Sequence, residues 1–578
     1  MLQIKGEIAQ NIAQTVKAIN ADANLSADDI LGLLEYPPDE KMGDIALPCF
    51  KLSKTLRMPP VKIAEAIANA FSASAVKRAE AINGYFNIYL DGEYLAKKVV
   101  SEVKQKGDGY GAPDIGKGKT VVLDYSSPNV AKPFHIGHLG TTVIGHSLKK
   151  LHEFAGYKCV GINYLGDWGT QFGKLIVAYK KWGNREEIEQ GGVDALVALY
   201  VKINNAISGN EEQGIPADPA LADESRAEFR KLEDGNEENI ALWRWFVDIS
   251  LAEYQKTYKQ LGIEFDSYKG ESFYTDKMPA QVQKLRDMGL LKIDDGASIV
   301  DLEEYGMTPC LILKRDGSTL YPTRDIAAAV YRKNEYDFDK MIYVTSAGQS
   351  LHFAQWFKVV ELMGYEWHDK LVHVPYGTVS INGAKLATRT GNVILLRDLF
   401  AESIAKVSSI MHEKNPDIEN ADKIAEAVGV GAIVFYYLSN NRIRDINFMM
   451  EDALSFEGNT GPYVQYTYAR TCSVLAKSPE YDADAELVIS ADEEVSLLKT
   501  LSRFEEVVRE AIAVYEPSVI TRYILDVAGA YNRFYHNCSI LNAENEGVKN
   551  TRLALTKATN TVLGNAFGLI CLAKTEKI

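Results

Sequence analysis

Two histidines, His135 and His138, enclose an isoleucine and a glycine in the string His135-Ile136-Gly137-His138. Three positions apart, they share one face of a helix. Two imidazoles beside a phosphate can donate hydrogen bonds to charge that develops in a transition state. Gly137 has no side chain, so a nucleotide can press against the backbone there. A helix start adds free N–H groups and a partial positive charge, which suits phosphate. Zinc is the weaker reading, because metalloprotease histidines sit four apart beside a glutamate. The plain alternative is two surface histidines at a helix cap.

The flanking residues supply the elements that would hold this pair. Thr120 to Leu123 is a β-branched run that predicts a buried strand, and Asp124 to Pro133 is a polar, Pro-broken turn. From His135 on, Ile136, Leu139, Val143, Ile144 and Leu148 recur at helical spacing. Strand, loop and helix start open a nucleotide-binding α/β fold. Cys159 to Leu165 predicts a second strand, running into Gly166-Asp167-Trp168-Gly169-Thr170-Gln171-Phe172-Gly173. Glycines at a strand's C-terminal end lie where open α/β sheets bind ligands, which makes Gly166, Asp167, Gly169 and Thr170 candidates for ligand binding. Residues 184–260 read as a charged, helical insertion, most of its charges a solvated face. A hairpin is expected around Lys314-Arg315-Asp316-Gly317, and Leu320 to Asp325 (LYPTRD) should lead into a helix. Met341 to Thr345 predicts another buried strand, followed by a loop and helix start that carry Gln349 and His352. Strands and helices alternate to about residue 375, as a doubly wound parallel sheet requires.

Flanking regions have other rhythms. Leu2, Ile4, Ile8, Ile12, Val16 and Ile19 mark an amphipathic first helix, Pro60 to Phe71 reads as a second, and Tyr85 to Leu90 alternates like a strand. A Gly/Lys/Asp-rich stretch at residues 106–119 reads as a linker. Beyond about residue 421 the chain turns helical, with Arg503, Arg509, Arg522, Arg533 and Arg552 among Tyr523, Tyr531 and Tyr535. Arginine with tyrosine can pair phosphates and stack on unpaired bases, whereas the plain reading packs the tyrosines in a core and solvates the arginines. The expected fold is therefore multidomain, α/β plus all-α, with a Rossmann-like doubly wound parallel sheet. The boundaries read as an N-terminal α+β domain at 1–115, a catalytic domain at 116–375, a catalytic-loop and stem region at 376–455 and a helical bundle at 456–578.

Composition narrows the class. A chain of 578 residues holds three or four domains, and 46% hydrophobic with 24% charged residues is that of a globular protein. The 63 basic and 78 acidic residues give a net charge of −15, so any RNA contact must come from local basic patches. Six cysteines are scattered singly with no CxxC pair, so neither a structural metal nor a disulfide framework is expected, and a reducing cytoplasm fits. The first residues include Lys5, Glu7 and several glutamines, unlike a signal peptide, and no apolar run is long enough to span a membrane.

The HIGH tetrapeptide after a strand resembles the first signature of the class I aminoacyl-tRNA synthetases. The longer string SSPNVAKPFHIGH, with GDIALPCFKL and GNTGPYVQYTYAR elsewhere, resembles the arginyl-tRNA synthetases over nearly the whole chain. The resemblance implies ATP with Mg²⁺ as a substrate complex, L-arginine and tRNA(Arg) as partners, and catalysis by His135 and His138. Arg389 and Lys385, in INGAKLATRTGN, would supply the second signature, with Thr388 where the usual pattern has its second lysine. Lys132 could swing toward the phosphates, and the resemblance places Gly137, Gly166, Asp167, Gly169, Thr170 and His352 at ATP. A guanidinium calls for planar carboxylates in a partly buried pocket. Asp124, Asn129, Glu271, Tyr321, Asp325 and Gln349 match positions that the family uses for its amino acid. On physical grounds alone such acids are more often helix caps or solvated residues, and Asp325 could simply cap the helix that follows Arg324. The N-terminal domain would contact the outer corner of the tRNA, and Arg503, Arg522, Tyr531 and Arg533 would lie where the family reads the anticodon. A monomer is expected. The family also implies transfer to the 2′-hydroxyl of the terminal ribose and a need for tRNA in the first step. Rival readings are another class I synthetase, which should show a zinc site or an editing insertion, and a non-catalytic tRNA-binding paralogue.

Overall fold

The computed structural model describes residues 1–578 apart from 22, 211–213, 382, 386–393, 415, 417, 479–481, 483 and 484. At its centre lie four parallel strands, in the spatial order Leu371–Tyr376, Lys340–Ser346, Thr120–Asp124, Lys158–Ile162. The first strand runs outward to the second on one side, and the third runs to the fourth on the other. The order thus reverses between Thr120–Asp124 and Lys340–Ser346, and the crevice beyond their C-terminal ends is the ligand position of such sheets. Alternation places Val121 and Leu123 in the apolar cluster on one face and Val122 in that on the other. Both faces are covered, as a parallel sheet requires.

The alternation is broken by a three-stranded antiparallel sheet, Leu291–Asp294, Ala297–Val300 and Cys310–Leu313. Its tight turn uses Asp295 and Gly296, both in the left-handed region. The predicted hairpin at 314–317 is a smaller feature, closed by an isolated bridge between Leu313 and Thr319. LYPTRD does not precede its helix but begins it: the helix spans Tyr321–Tyr336 with Pro322 in its first turn. Asp325 is therefore inside the helix, and the reading of it as a cap is corrected.

The insertion forms helices Arg185–Ser208, Ala220–Glu233 and Glu237–Leu261, which pack on Thr170–Trp182 around their own apolar cluster including Phe172, Ile176, Leu196 and Phe246. The N-terminal unit is an antiparallel sheet, Ile45–Pro48, Tyr85–Leu90 and Val76–Ile82, with Leu2–Ile19 and Pro60–Ala70. The expected linker at 106–119 is no free tether. A helix, Gly92–Lys106, runs into it, Tyr110 is buried, and the Tyr110 hydroxyl donates to Leu501 O at 3.2 Å. Asn565 Nδ2 donates to Gly107 O at 3.0 Å. The C-terminal bundle comprises Gly461–Ala476, Asp492–Ser502, Phe504–Val514, Ser518–Asn537 and Glu546–Gly568. Its apolar core is continuous with those of the sheet and the N-terminal unit. Among the described residues no helix is long and apolar enough to cross a membrane.

Candidate active site

The loop after the first strand is held under strain. Ser126 (φ 71°) and Ala131 (φ 56°) adopt the left-handed region without being glycine, which persists only where the surroundings enforce it. Ser126 N donates to Thr141 Oγ1 at 3.0 Å, and Thr141 Oγ1 donates to Val344 O at 2.7 Å, so the loop is tied to the third strand across the switch point. The insertion supplies further struts. Tyr254 places its hydroxyl 2.7 Å from both carbonyl oxygens of Asn129 and Lys132, and Tyr258 reaches Ser126 Oγ at 2.9 Å. Sequence reasoning missed these tyrosines. Their i, i+4 spacing in LAEYQKTYKQL was the available signal that one face of a charged helix turns inward.

His135 is the N-cap of a single 3₁₀ turn, Ile136–His138, and the α-helix proper starts at Leu139. His135 Nδ1 accepts from Gly137 N at 3.0 Å, and His138 Nδ1 accepts from His135 N at 3.2 Å. With both Nδ1 atoms accepting, the protons of the neutral rings lie on Nε2. The rings sit 3.9 Å apart, centre to centre, and Phe134 stacks on His138. Burial, with the positive charge of Lys132, holds His135 down at about 4, and burial, with the neighbouring His135, holds His138 at about 3. The pair is therefore a set of neutral donors near pH 7. Lys132 is exposed.

The segment beyond the second signature is anchored here. Leu396 N donates to Phe134 O at 3.0 Å, and His135 bridges Leu395. On its other side, Val379–Ile381 pairs with Ala384–Lys385 and with Ile446–Phe448. Lys385 thus ends a short strand. Arg389 lies outside the described residues.

The second strand's loop zips onto the first. Val130 N donates to Gly166 O and Gly166 N donates to Pro128 O, each at 3.1 Å. A Cβ at Gly166 would lie 2.2 Å from Asn129 Oδ1, so a larger residue there would push the Asn129 side chain from its place. Gly169 (φ 130°) caps the Thr170–Trp182 helix with no side-chain cap, and Thr170 is exposed. Asp167 is corrected: it is 5% exposed, and its carboxylate accepts from Ser272 N at 2.8 Å and Ser272 Oγ at 2.7 Å. Its carboxylate is spent on tying down the loop that carries Glu271.

The acids meet behind the switch point. Glu271 pairs with Arg324 at 2.5 Å, and Asp325 Oδ2 meets His352 Nε2 at 2.6 Å. The latter contact joins a residue expected at arginine to one expected at ATP. Burial, with repulsion from Asp325 and Asp167, outweighs Arg324 and pushes the Glu271 carboxyl up to about 7. Asp124 is corrected as a direct guanidinium ligand. It is 4% exposed, bonded to Arg332 at 2.8 Å, and accepts from Ser127 Oγ at 3.0 Å. Arg332, which the sequence reading did not single out, is buried under the rings of Tyr164, Tyr274 and Tyr343. Asn129, Gln349 and Tyr321 are exposed at loop and helix starts around these acids.

In the bundle, Arg503, Arg522 and Arg533 are exposed and line one groove with Asp526 between them. Tyr531 is corrected: it is fully buried in the core, as is Tyr523, stacked on Phe504. Arg552 is buried in an ion pair with Glu494 at 2.8 Å. Tyr535 is the exposed tyrosine of that set, under Arg470.

Three family descriptions match this chain in order: "Arginyl tRNA synthetase N terminal domain" at residues 3–90, "tRNA synthetases class I (R), catalytic domain" at 99–450, and "DALR anticodon binding domain" at 464–578. The chain belongs to the arginyl-tRNA synthetases. Its relatives in that family include the arginine–tRNA ligase of Alkaliphilus metalliredigens, 48% identical over 95% of this chain and 96% of that protein. That of Clostridium perfringens is 47% identical over 97% and 98%. The fold matches the arginyl-tRNA synthetase of Thermus thermophilus with a TM-score of 0.82 and 24% identity, over 99% of both chains. The class I core, the helical C-terminal domain and the N-terminal unit expected from the sequence are all present in this family member.

Proposed function

We propose that this chain is an arginine–tRNA ligase: it activates L-arginine with ATP and transfers the arginyl group to the 3′ end of tRNA(Arg). The observation that carries the reading is a pair of neutral histidine donors at the sheet's switch point, tied to a strand whose following helix bonds the acid cluster. ATP lies over Gly137 and the Gly166–Thr170 loop, its phosphates within reach of the Nε2–H groups of His135 and His138. The arginine carboxylate attacks the α-phosphorus in line, a new P–O bond forms, and pyrophosphate leaves. The histidines donate to the oxygens that gain charge, while Lys385, Arg389 and Lys132 hold the pyrophosphate. Mg²⁺, when bound with ATP, would neutralise phosphate charge and would take its ligands largely from the substrate and water.

Glu271 and Asp325, with Asn129, Tyr321 and Gln349, bind the substrate guanidinium and amino group. Asp124 acts behind them through Arg332. His352 links ATP to Asp325. A ribose hydroxyl at the tRNA end then attacks the adenylate carbonyl and AMP leaves. Arg503, Arg522 and Arg533 form the basic patch that an acidic chain needs for RNA. All six cysteines are free, which suits a cytoplasmic enzyme, and we read it as a monomer. The test is ATP–pyrophosphate exchange with each of the twenty amino acids, with and without total tRNA. Exchange with arginine that depends on tRNA is expected; exchange with a different amino acid would overturn the pocket.

A further inference from the structure

Each acid in or behind the guanidinium pocket already holds a basic side chain of this chain. Asp124 holds Arg332 at 2.8 Å, Asp325 holds His352 at 2.6 Å, and Glu271 holds Arg324 at 2.5 Å. The three are not equally firm. The Arg332 side chain is 1% exposed and lies 4.9–5.8 Å from three aromatic ring centres, so it cannot leave without opening the core. Arg324 is 12% exposed and sits in the first turn of its helix, one residue before Asp325. Its Nε is buried with no hydrogen-bond partner, as are Nε and Nη2 of Arg332, so what sets Arg324 apart is its greater exposure and its place at the start of the helix.

We propose that Arg324 is an internal occupant of the substrate's guanidinium subsite, and that L-arginine binds by displacing it from Glu271. The proposal rests on the reading that Glu271 and Asp325 receive the substrate side chain. A second guanidinium on the same carboxylate would bring two like charges together in a partly buried site, a repulsion that is relieved when the first one leaves. Removing Arg324 without replacement would leave Glu271 as an uncompensated buried charge. Exchange of one guanidinium for another avoids both costs. A neutral side chain of the same shape, such as that of citrulline, gives Glu271 no charge in return and cannot complete the exchange.

The test is calorimetric titration of the full-length chain with L-arginine at about pH 8.5, above the Glu271 value of about 7, so that its carboxyl is ionised. Wild type is compared with Arg324→Gln. If Arg324 occupies the site nine-tenths of the time, its removal tightens arginine binding about tenfold, because the apparent Kd scales inversely with the open fraction. Weaker or unchanged binding by a variant with wild-type thermal stability overturns the proposal and makes Arg324 a support for Glu271. Should Arg324→Gln not fold, a crystal structure of the wild-type chain with L-arginine decides. Glu271 bonded to the ligand with Arg324 swung away supports exchange; an intact Arg324–Glu271 bond beside bound arginine overturns it. No binding of L-arginine by wild type overturns the pocket assignment itself, and exchange with it.

Discussion

On the side of the crevice proposed for phosphate, burial keeps His135 and His138 neutral, with Lys132 adding to it for His135 and His135 for His138; backbone N–H groups orient both rings, and Tyr254 and Tyr258 of the insertion brace the loop that precedes them. On the side proposed for the amino acid, Asp124, Glu271 and Asp325 keep their places through direct contacts with Arg332, Arg324 and His352. The contrast follows the ligands. A triphosphate brings its own charge and metal, so the protein has only to aim dipoles at it. A single guanidinium must be drawn from water by buried carboxylates, and those need counter-charges while the pocket waits. One side is therefore built on geometry and the other on compensated charge.

If that contrast is right, breaking a buried pair on the acid side should damage the fold more than removing a donor on the phosphate side. Arg332→Met strands Asp124 in the core and should cost about 3–5 kcal/mol of stability, read as a fall in the denaturant midpoint. Asp124→Asn added to it should recover part of the loss. An unchanged midpoint for Arg332→Met would show that Asp124 is not charged in the fold. His135→Ala, by contrast, should leave the midpoint nearly in place and lower kcat of pyrophosphate exchange by about 10²–10³, the scale of losing one preorganised donor. A change confined to KM would mean that His135 only helps to bind ATP.

The phosphate side was legible in the sequence because its signal is local. Strand, Pro-broken loop and His-Ile-Gly-His lie within some twenty positions, and periodicity fixes their order. The acid side was legible only by resemblance. Glu271 and Arg324 stand 53 positions apart, and nothing in either string announces that they touch. Asp124 and Asp167 looked alike as acids at strand ends, yet both have their carboxylates turned inward, onto Arg332 and onto Ser272. Tyr531 failed for a related reason: its helix, Ser518–Asn537, carries arginines on one face and core on the other, and composition does not tell which face a given tyrosine joins. The stretch at 106–119 read as a linker because glycine and lysine are frequent there, while the one residue that docks it, Tyr110, is a single aromatic with no pattern to mark it.

The finest test of the contrast is the pH dependence of stability, because the two sides should pull in opposite directions. His138 titrates near 6.5 when unfolded and at about 3 when folded, so the unfolded chain binds the extra proton as pH falls below 6.5. Its contribution is whole above 6.5 and is lost as pH falls toward the folded value. Glu271 is the reverse. Its carboxyl rises from 4.5 to about 7 on folding, so the folded chain holds the extra proton. That contribution is whole below 4.5 and is lost as pH rises through 7. Between those limits each group changes the slope of stability with pH by about 1.4 kcal/mol per unit, with opposite sign. In wild type the two partly cancel. Glu271→Gln should therefore steepen the loss of stability on acidification from pH 6.5 to 5. His138→Gln, whose amide oxygen can still accept from His135 N, should flatten it. Denaturant midpoints for the three proteins across that range read the slopes directly. Slopes that move together would mean that both sides of the crevice are held by the same kind of interaction.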